Sequence, residues 1–572
     1  MYPFLSFYPS IAHVPPLSSF AVKWRSHIFH LASSIVALSS LVLVLSSFFF
    51  LLSATPLYAA TYYVDATSGQ DTYAGLSQTA SWKTIAKVNA SRFNPGDQVL
   101  FKKGETWREQ LTVPSSGSAG KPITFGAYGD GNRPIINGSD LITTWTRATS
   151  NSYQATLTAQ PIQVFFNGTR GTITASIATV NAANKWFWAS NVLYIYSTSD
   201  PDTAYTSPGI QVGKRDMCIY LLNKDYITID GLILEAANLI NVGVCGTSDH
   251  SITRNSEIRY AGMYGISWRE RVGARNYIDT CLIHHNAVFG VQTYKHTGSG
   301  RGTESYIQNS DIYNNTQVGI SLRGNYTIIQ NNNIHDNGSD GIHNALHIVS
   351  EEEGTGHNNT VRYNKIYNQI GGIYDGAGIA VDYGCDDNSI YYNLIYNNYG
   401  KGIWVNNAAN VHIYNNVFYG NVQNPSQNTK AEISLSSSTS WPGGPTTAAV
   451  KNNIARATSA DTYAISVDAL TSANTLDITN NDWYSAATNW YFWNNAGGND
   501  LSIWNALTGI GADLNSDPLF TNVLSYDLHL QPTSPAINAG VDVGLTQDYD
   551  GHGVVGPPDI GAYDHHSGFL KP

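Results

Sequence analysis

From about residue 225 to 485 the chain repeats one phrase: an apolar residue, two residues, Asn or a small residue, one residue, then Ile or Val. Ile390-Tyr391-Tyr392-Asn393-Leu394-Ile395 and Val361-Arg362-Tyr363-Asn364-Lys365-Ile366 are two copies. The closing apolar position falls at Ile233, Ile258, Ile283, Ile312, Ile334, Ile366, Ile395, Val417 and Ile454, in steps of 22 to 37 residues. Self-similarity at that period predicts stacked repeats that share one elongated core. A second phrase follows each copy, at Gly243-Val244, Gly265-Ile266, Gly290-Val291, Gly319-Ile320, Gly341-Ile342, Gly378-Ile379 and Gly402-Ile403. Both phrases are short, rich in β-branched and aromatic residues, and bounded by Gly and Asn, so they read as strands. Two strands per coil with turns between them predict an all-β fold, a parallel β-helix solenoid. A leucine-rich or helical solenoid is disfavoured, because Leu is not the repeated residue and no segment holds a helical apolar period. Two positions before the closing apolar residue stand Gly231, Ser256, Cys281, Ser310, Asn332, Asn364, Asn393, Asn415 and Asn452. Stacked Asn side chains can hydrogen-bond from coil to coil, and Asn tolerates the left-handed backbone of a sharp turn. Their expected role is structural.

Outside the repeats, the opening carries Tyr62-Tyr63-Val64-Asp65, Trp82-Lys83-Thr84-Ile85 and Asn94-Pro95-Gly96-Asp97, followed by Gly120-Lys121-Pro122-Ile123-Thr124-Phe125. The end carries Asp517-Pro518-Leu519-Phe520, Ser534-Pro535-Ala536-Ile537-Asn538-Ala539-Gly540 and Asp559-Ile560-Gly561-Ala562-Tyr563. With these phrases, roughly residues 61 to 566 resemble the right-handed parallel β-helix proteins of the pectate-lyase-like superfamily. The resemblance implies a carbohydrate-active protein and leaves the reaction open, since that superfamily holds lyases, glycosidases, epimerases and adhesins. The expected organisation is a leader over residues 1–60, a β-helix over 61–515 and a C-terminal capping segment over 516–572.

Composition narrows the partners. Charged residues make up 13% of the chain and the formal net charge is −11, which argues against nucleic-acid binding. A surface of Tyr, Asn, Ser, Thr and Gly suits hydrogen bonding to sugars, and a monomer is expected. Lys23 and Arg25 precede an apolar run from about Ile28 to Leu52, then Ala59 and Ala60. This reads as a secretion signal and an extracellular protein, or as a membrane anchor if the run is not cleaved. Cys218, Cys245, Cys281 and Cys385 have no zinc-finger spacing. Cys218 and Cys245 stand about one coil apart and are candidates for pairing.

Candidate chemistry comes from the second phrase. Counting one and three residues beyond its Val or Ile gives two outward columns. One contains Ser267, Gln292, Ser321, His343, Ala380 and Trp404, and the other Arg269, Tyr294, Arg323, Ala345, Asp382 and Asn406. Arg271, His296 and His347 lie nearby. Such a polar, aromatic and partly basic strip fits a substrate groove, with Arg269, Tyr294, Arg323, His343 and Trp404 lining subsites. The segment from Tyr374 to Asp387 holds Asp375 in a Gly-rich turn and Asp382 on the following strand. Glycosidic cleavage needs two carboxyl groups flanking one bond. The segment resembles the active-site strand of some β-helix glycosidases, which implies Asp382 as nucleophile or base and Asp375 as acid, without a cofactor.

The alternative is β-elimination on a uronic acid polymer of pectate or alginate type. There Asp382, Asp386 and Asp387 would hold Ca²⁺, with Lys401, Arg323 or Arg269 as the base. The third reading is a non-catalytic carbohydrate-binding solenoid. The phrase Asp548-Tyr549-Asp550-Gly551-His552-Gly553 lacks the ligands of a calcium loop and is assigned to the end cap.

Overall fold

The computed structural model describes residues 59–566, except 270–274, 295–303, 340–343, 351–354, 372–374, 425, 427–429, 473–474 and 510. Residues 1–58, which carry the expected signal or anchor, lie outside the described residues, as do Arg271, His296, His343 and the Gly341-Ile342 phrase.

Each coil contributes a strand to each of three parallel sheets. In one coil these are Ser389–Tyr391, Leu394–Tyr396 and Ile403–Asn406. Among the described residues the sheets hold 13, 12 and 13 strands in that order around the coil, all paired parallel except the last pair of the third sheet. The repeated phrase is the first strand, a turn and the second strand; the Gly phrase opens the third. Inward residues such as Ile366, Ile379, Ile390 and Ile395 are fully buried in one continuous core.

The turn between the first two sheets separates two roles that Asn fills equally well. Left-handed backbone sits at Tyr363, Tyr392, Asn415 and Asn452 (φ 57°, 51°, 50° and 57°). The residue after each one forms the ladder. Asn364, Asn393, Asn416 and Asn453 each donate Nδ2 to the next Oδ1, the last to Asn481, at 2.9–3.0 Å. The expected column is therefore displaced by one at Gly231, Asn415 and Asn452. The same slip moves the closing apolar position from Ile233, Val417 and Ile454 to Leu234, Phe418 and Ala455, which align with Ile258 and Ile395. Both residues of each pair are apolar, so pattern alone does not choose between them. A second ladder lies between the second and third sheets, through Asn286, Asn315 and Asn337 and again through Asn398 and Asn421 to Glu432. It explains the Gly of the second phrase. A Cβ on Gly378 would lie 2.9 Å from Gly402 O and 3.0 Å from Asn398 Nδ2.

The span 61–515 is not all solenoid. Strands from Ser139–Ile142 to Ile210–Gly213 build two further sheets, paired largely antiparallel. They enclose their own core of Val164, Phe166, Trp186, Leu193 and Ile195. The C-terminal end of the core is sealed by the helix Leu501–Thr508, whose Trp504 packs against Trp483, Trp490 and Tyr491. The segment beyond 516, expected to seal the last coil, instead lies along the flank. Phe520, Leu528, Leu530, Ile560 and Ala562 cover Tyr392, Leu394, Tyr396, Val417 and Ile454, which point out of the solenoid. The four cysteines are buried thiols, none of them in a disulfide. Cys218 and Cys245 lie at different levels of adjacent strands, since Cys245 is opposite Leu222.

Candidate active site on the third sheet

Core residues Ile320, Leu322, Leu346, Ile348, Ile379, Val381, Ile403 and Val405 face inward from the third sheet, so their neighbours face out. Register fixes one outward column as Ser267, Gln292, Ser321, His347, Ala380, Trp404 and Ser434. The other runs through Val349, Asp382, Asn406 and Ser436. Arg269, Tyr294 and Arg323 follow directly on the strands Tyr264–Trp268, Phe289–Thr293 and Ile320–Leu322. His347 and Val349 thus take the places expected for His343 and Ala345. Ala345-Leu346, not Gly341-Ile342, continues the coil register.

Asp382 faces out yet is only 4% exposed. His347, one coil earlier, brings Nε2 to 2.8 Å from Asp382 Oδ2. The other oxygen, Oδ1, is buried and has no hydrogen-bond partner among the described residues. An ionised carboxylate accepts through both oxygens, so Oδ1 retains its capacity for a ligand, a water or a reacting carbon. Asp382 is followed by a left-handed turn at Tyr383 (φ 52°). There the Trp441 ring packs on the Tyr383 ring with centroids 5.0 Å apart. Burial pushes the Tyr383 phenol up to about 12, reinforced by the negative charges of Asp382 and Asp375. Both predicted carboxylates therefore act on one phenol.

Asp375, half-buried, stands in the turn before the strand. Its charge also acts on Lys401, where burial pulls the ammonium down to about 8 against the opposing effect of Asp375. Lys401 Nζ lies 4.9 Å from the centre of the Trp404 ring, and Trp404 Nε1 donates to Ser436 Oγ at 2.7 Å. Toward the earlier coils, the Arg323 guanidinium lies 5.3 Å from the Tyr294 ring centre. Gln292 Nε2 donates to the Tyr294 hydroxyl at 3.4 Å. Arg323 and Arg269 both act on Tyr264, whose hydroxyl is raised by burial and then by Tyr294. The strip thus reads basic and aromatic at one end, with two carboxylates, a histidine and a lysine beyond it.

The predicted Asp382, Asp386 and Asp387 ion cluster is not formed. Asp386 Oδ1 accepts the Ala409 N–H at 2.7 Å and Asp387 Oδ1 accepts Asn410 Nδ2 at 2.6 Å, both bracing the turn to the next coil. Among the described residues, the three side chains that bring ligand atoms within 4.8 Å of one another are Asp548, His552 and His566. Sequence reasoning missed His347 as the partner of Asp382, and it missed Tyr383 and Trp441. The readable signal for His347 was Leu346-His347-Ile348, which alternates like every other third-sheet strand.

A family model described as the right-handed beta helix region matches residues 217–375 and 302–440. A lacto-N-biosidase of Bifidobacterium longum subsp. longum is 40% identical over 90 residues, 15% of this chain and 6% of that protein. The chain thus matches only a small part of that relative's length. The structure of XylC with xylose is 13% identical, with a TM-score of 0.51 over 88% of this chain and 98% of that one. A pectate lyase, Pel9A, is 16% identical with a TM-score of 0.40 over 89% of this chain and 96% of that one. At 13% identity the likeness to XylC is one of fold, and it agrees with the three parallel sheets and the family match. The chain folds as a right-handed parallel β-helix.

Proposed function

We propose that the protein is a carbohydrate-active enzyme that hydrolyses a glycosidic bond in a polysaccharide or oligosaccharide through Asp375 and Asp382. The observation that carries this reading is Asp382, held by His347 through one oxygen while the other, buried, has no donor among the described residues. In the reaction Asp382 supplies the electron pair, to the anomeric carbon or to the attacking water, and Asp375 protonates the leaving oxygen. His347 orients Asp382. Trp404 and Tyr294 offer aromatic surface to sugar rings, and Arg269 and Arg323 bind hydroxyls or acidic groups. The local match to a lacto-N-biosidase is in keeping with hydrolysis.

One observation favours a second reading, β-elimination. Lys401 is buried, with its ammonium lowered to about 8, as a proton-abstracting base requires. Arg323 and Arg269 would then neutralise a uronate. The purified protein is assayed on neutral and uronate polysaccharides and on lacto-N-biosidase substrates, following reducing ends and the ultraviolet absorbance of unsaturated uronates together. Hydrolysis gives reducing ends without absorbance, and elimination gives both. Binding without either product supports the non-catalytic solenoid and removes both enzymatic readings.

A further inference from the structure

The C-terminal flank carries a second cluster that the proposed reaction does not use. The turn from Asp548 to His552 closes on itself, Asp548 N–H to His552 O at 2.8 Å and Gly551 N–H to Asp548 O at 3.1 Å. It is joined to the end of the flank by Tyr549 N–H to Ala562 O at 2.9 Å. Asp548 is 1% exposed. Its Oδ1 accepts the His552 N–H at 2.8 Å and its Oδ2 accepts the Asp564 N–H at 3.0 Å. One carboxylate thus orients both backbone segments. His552 and His566 project from those two segments, with ring centroids 5.3 Å apart and planes at 84°. His552 Nδ1 is 3.9 Å from Asp548 Oδ2, and one ligand atom from each of the three residues lies within 4.8 Å of the others.

Two ligand atoms on a tetrahedral Zn²⁺ with bonds of about 2.0–2.2 Å stand roughly 3.3–3.6 Å apart. Small side-chain rotations close the remaining gap, and the backbone bonds already hold the turn and the chain end in place. We propose that Asp548, His552 and His566 form a divalent transition-metal site, with Zn²⁺ as the ion and solvent completing its shell. Two imidazoles and one carboxylate suit Zn²⁺ and its neighbours, whereas Ca²⁺ and Mg²⁺ take oxygen shells. The carboxylate's backbone donors act as the outer partners that such ligands use to hold their orientation. The ion staples the turn to the chain end in the flank that covers Tyr392, Val417 and Ile454.

The test is calorimetric titration of the metal-free full chain with ZnCl₂, with Co²⁺ absorption as a probe of geometry and thermal melts with and without chelator. One ion per chain, tetrahedral-type Co²⁺ bands and a melting temperature raised by Zn²⁺ are expected. H552A and H566A should each weaken Zn²⁺ by at least about tenfold, while H565A leaves binding unchanged. These histidine variants keep the test valid if D548N fails to fold. The proposal is overturned if no stoichiometric ion binds or if H552A and H566A bind as the parent does. It is equally overturned if the ion is lost in H347A instead.

Discussion

Glu432 is fully buried at the end of an amide ladder. Asn421 Oδ1 accepts both the N–H and Nδ2 of Asn398, at 3.1 and 2.8 Å. Glu432 in turn accepts the N–H and Nδ2 of Asn421, at 3.0 and 2.6 Å. Burial, opposed by these bonds, raises its carboxyl from 4.5 to about 8. A folded value above the unfolded one means that the neutral form is favoured in the fold. The stability is fully present below pH 4.5 and is lost as pH rises to about 8. The displacement corresponds to a ceiling of about 5 kcal/mol, reduced if water reaches the charged group. Gln at this position stays neutral, and its one carbonyl oxygen can accept both Asn421 bonds, as Asn421 does for Asn398. E432Q should therefore match the parent near pH 4.5 and exceed it by roughly 2–5 kcal/mol above pH 8, read from urea midpoints at each pH. Asp482 and Asp559, raised by burial to about 7 and about 6, affect both proteins alike, so the difference isolates Glu432. A difference between E432Q and parent that does not change between the two pH values would refute the reasoning.

The remaining predictions concern the site and the coil geometry. D382N should reduce turnover by about 10²–10⁴-fold with substrate binding retained, and H347A should reduce it less, both measured by initial rates and calorimetry. Under elimination, activity should rise as pH passes about 8, where Lys401 loses its proton, and K401M should abolish it. Under hydrolysis, K401M should keep the product type and the pH profile would not follow Lys401. Gly378→Ala sets a Cβ 2.7 Å from Ile395 Cγ2 and 2.9 Å from Gly402 O, so it should cost about 1–3 kcal/mol of stability in urea unfolding.

The solenoid was legible because one coil's pattern recurs, and each recurrence tests the last. The legible part stops where two residue types serve two roles. Asn415 and Asn416 are both Asn, one for the left-handed turn and one for the ladder. Val417 and Phe418 are both apolar, one under the flank segment and one in the core. A one-residue slip there is invisible until something covers the outer face. The antiparallel insert within residues 139–213 was missed for a different reason. It has no repeat, and its alternating strands satisfy the same period-two pattern as the solenoid.

The site shows the same division. Asp375 and Asp382 stand out in sequence because a Gly-rich segment and an alternating strand carry one carboxylate each, before the strand Ile379–Asp382 and at its end, and both charges act on Tyr383. His347 was passed over because the sequence before Asn344 carries its own Gly-Ile phrase, whereas Leu346 is the residue in register with Ile320. The coil instead closes through Ala345-Leu346, with Ala345 in the place of the usual Gly. That choice moves the polar column from His343 to His347, whose opposite residue Ala380 is small enough to leave the imidazole room to reach Asp382. Each element of the Asp382 environment is ordinary in sequence: a histidine, an alanine, an aspartate at a strand end. Only coil-to-coil register, set by residues remote in the chain, turns them into a buried carboxylate with one oxygen held by His347 and the other without a donor among the described residues.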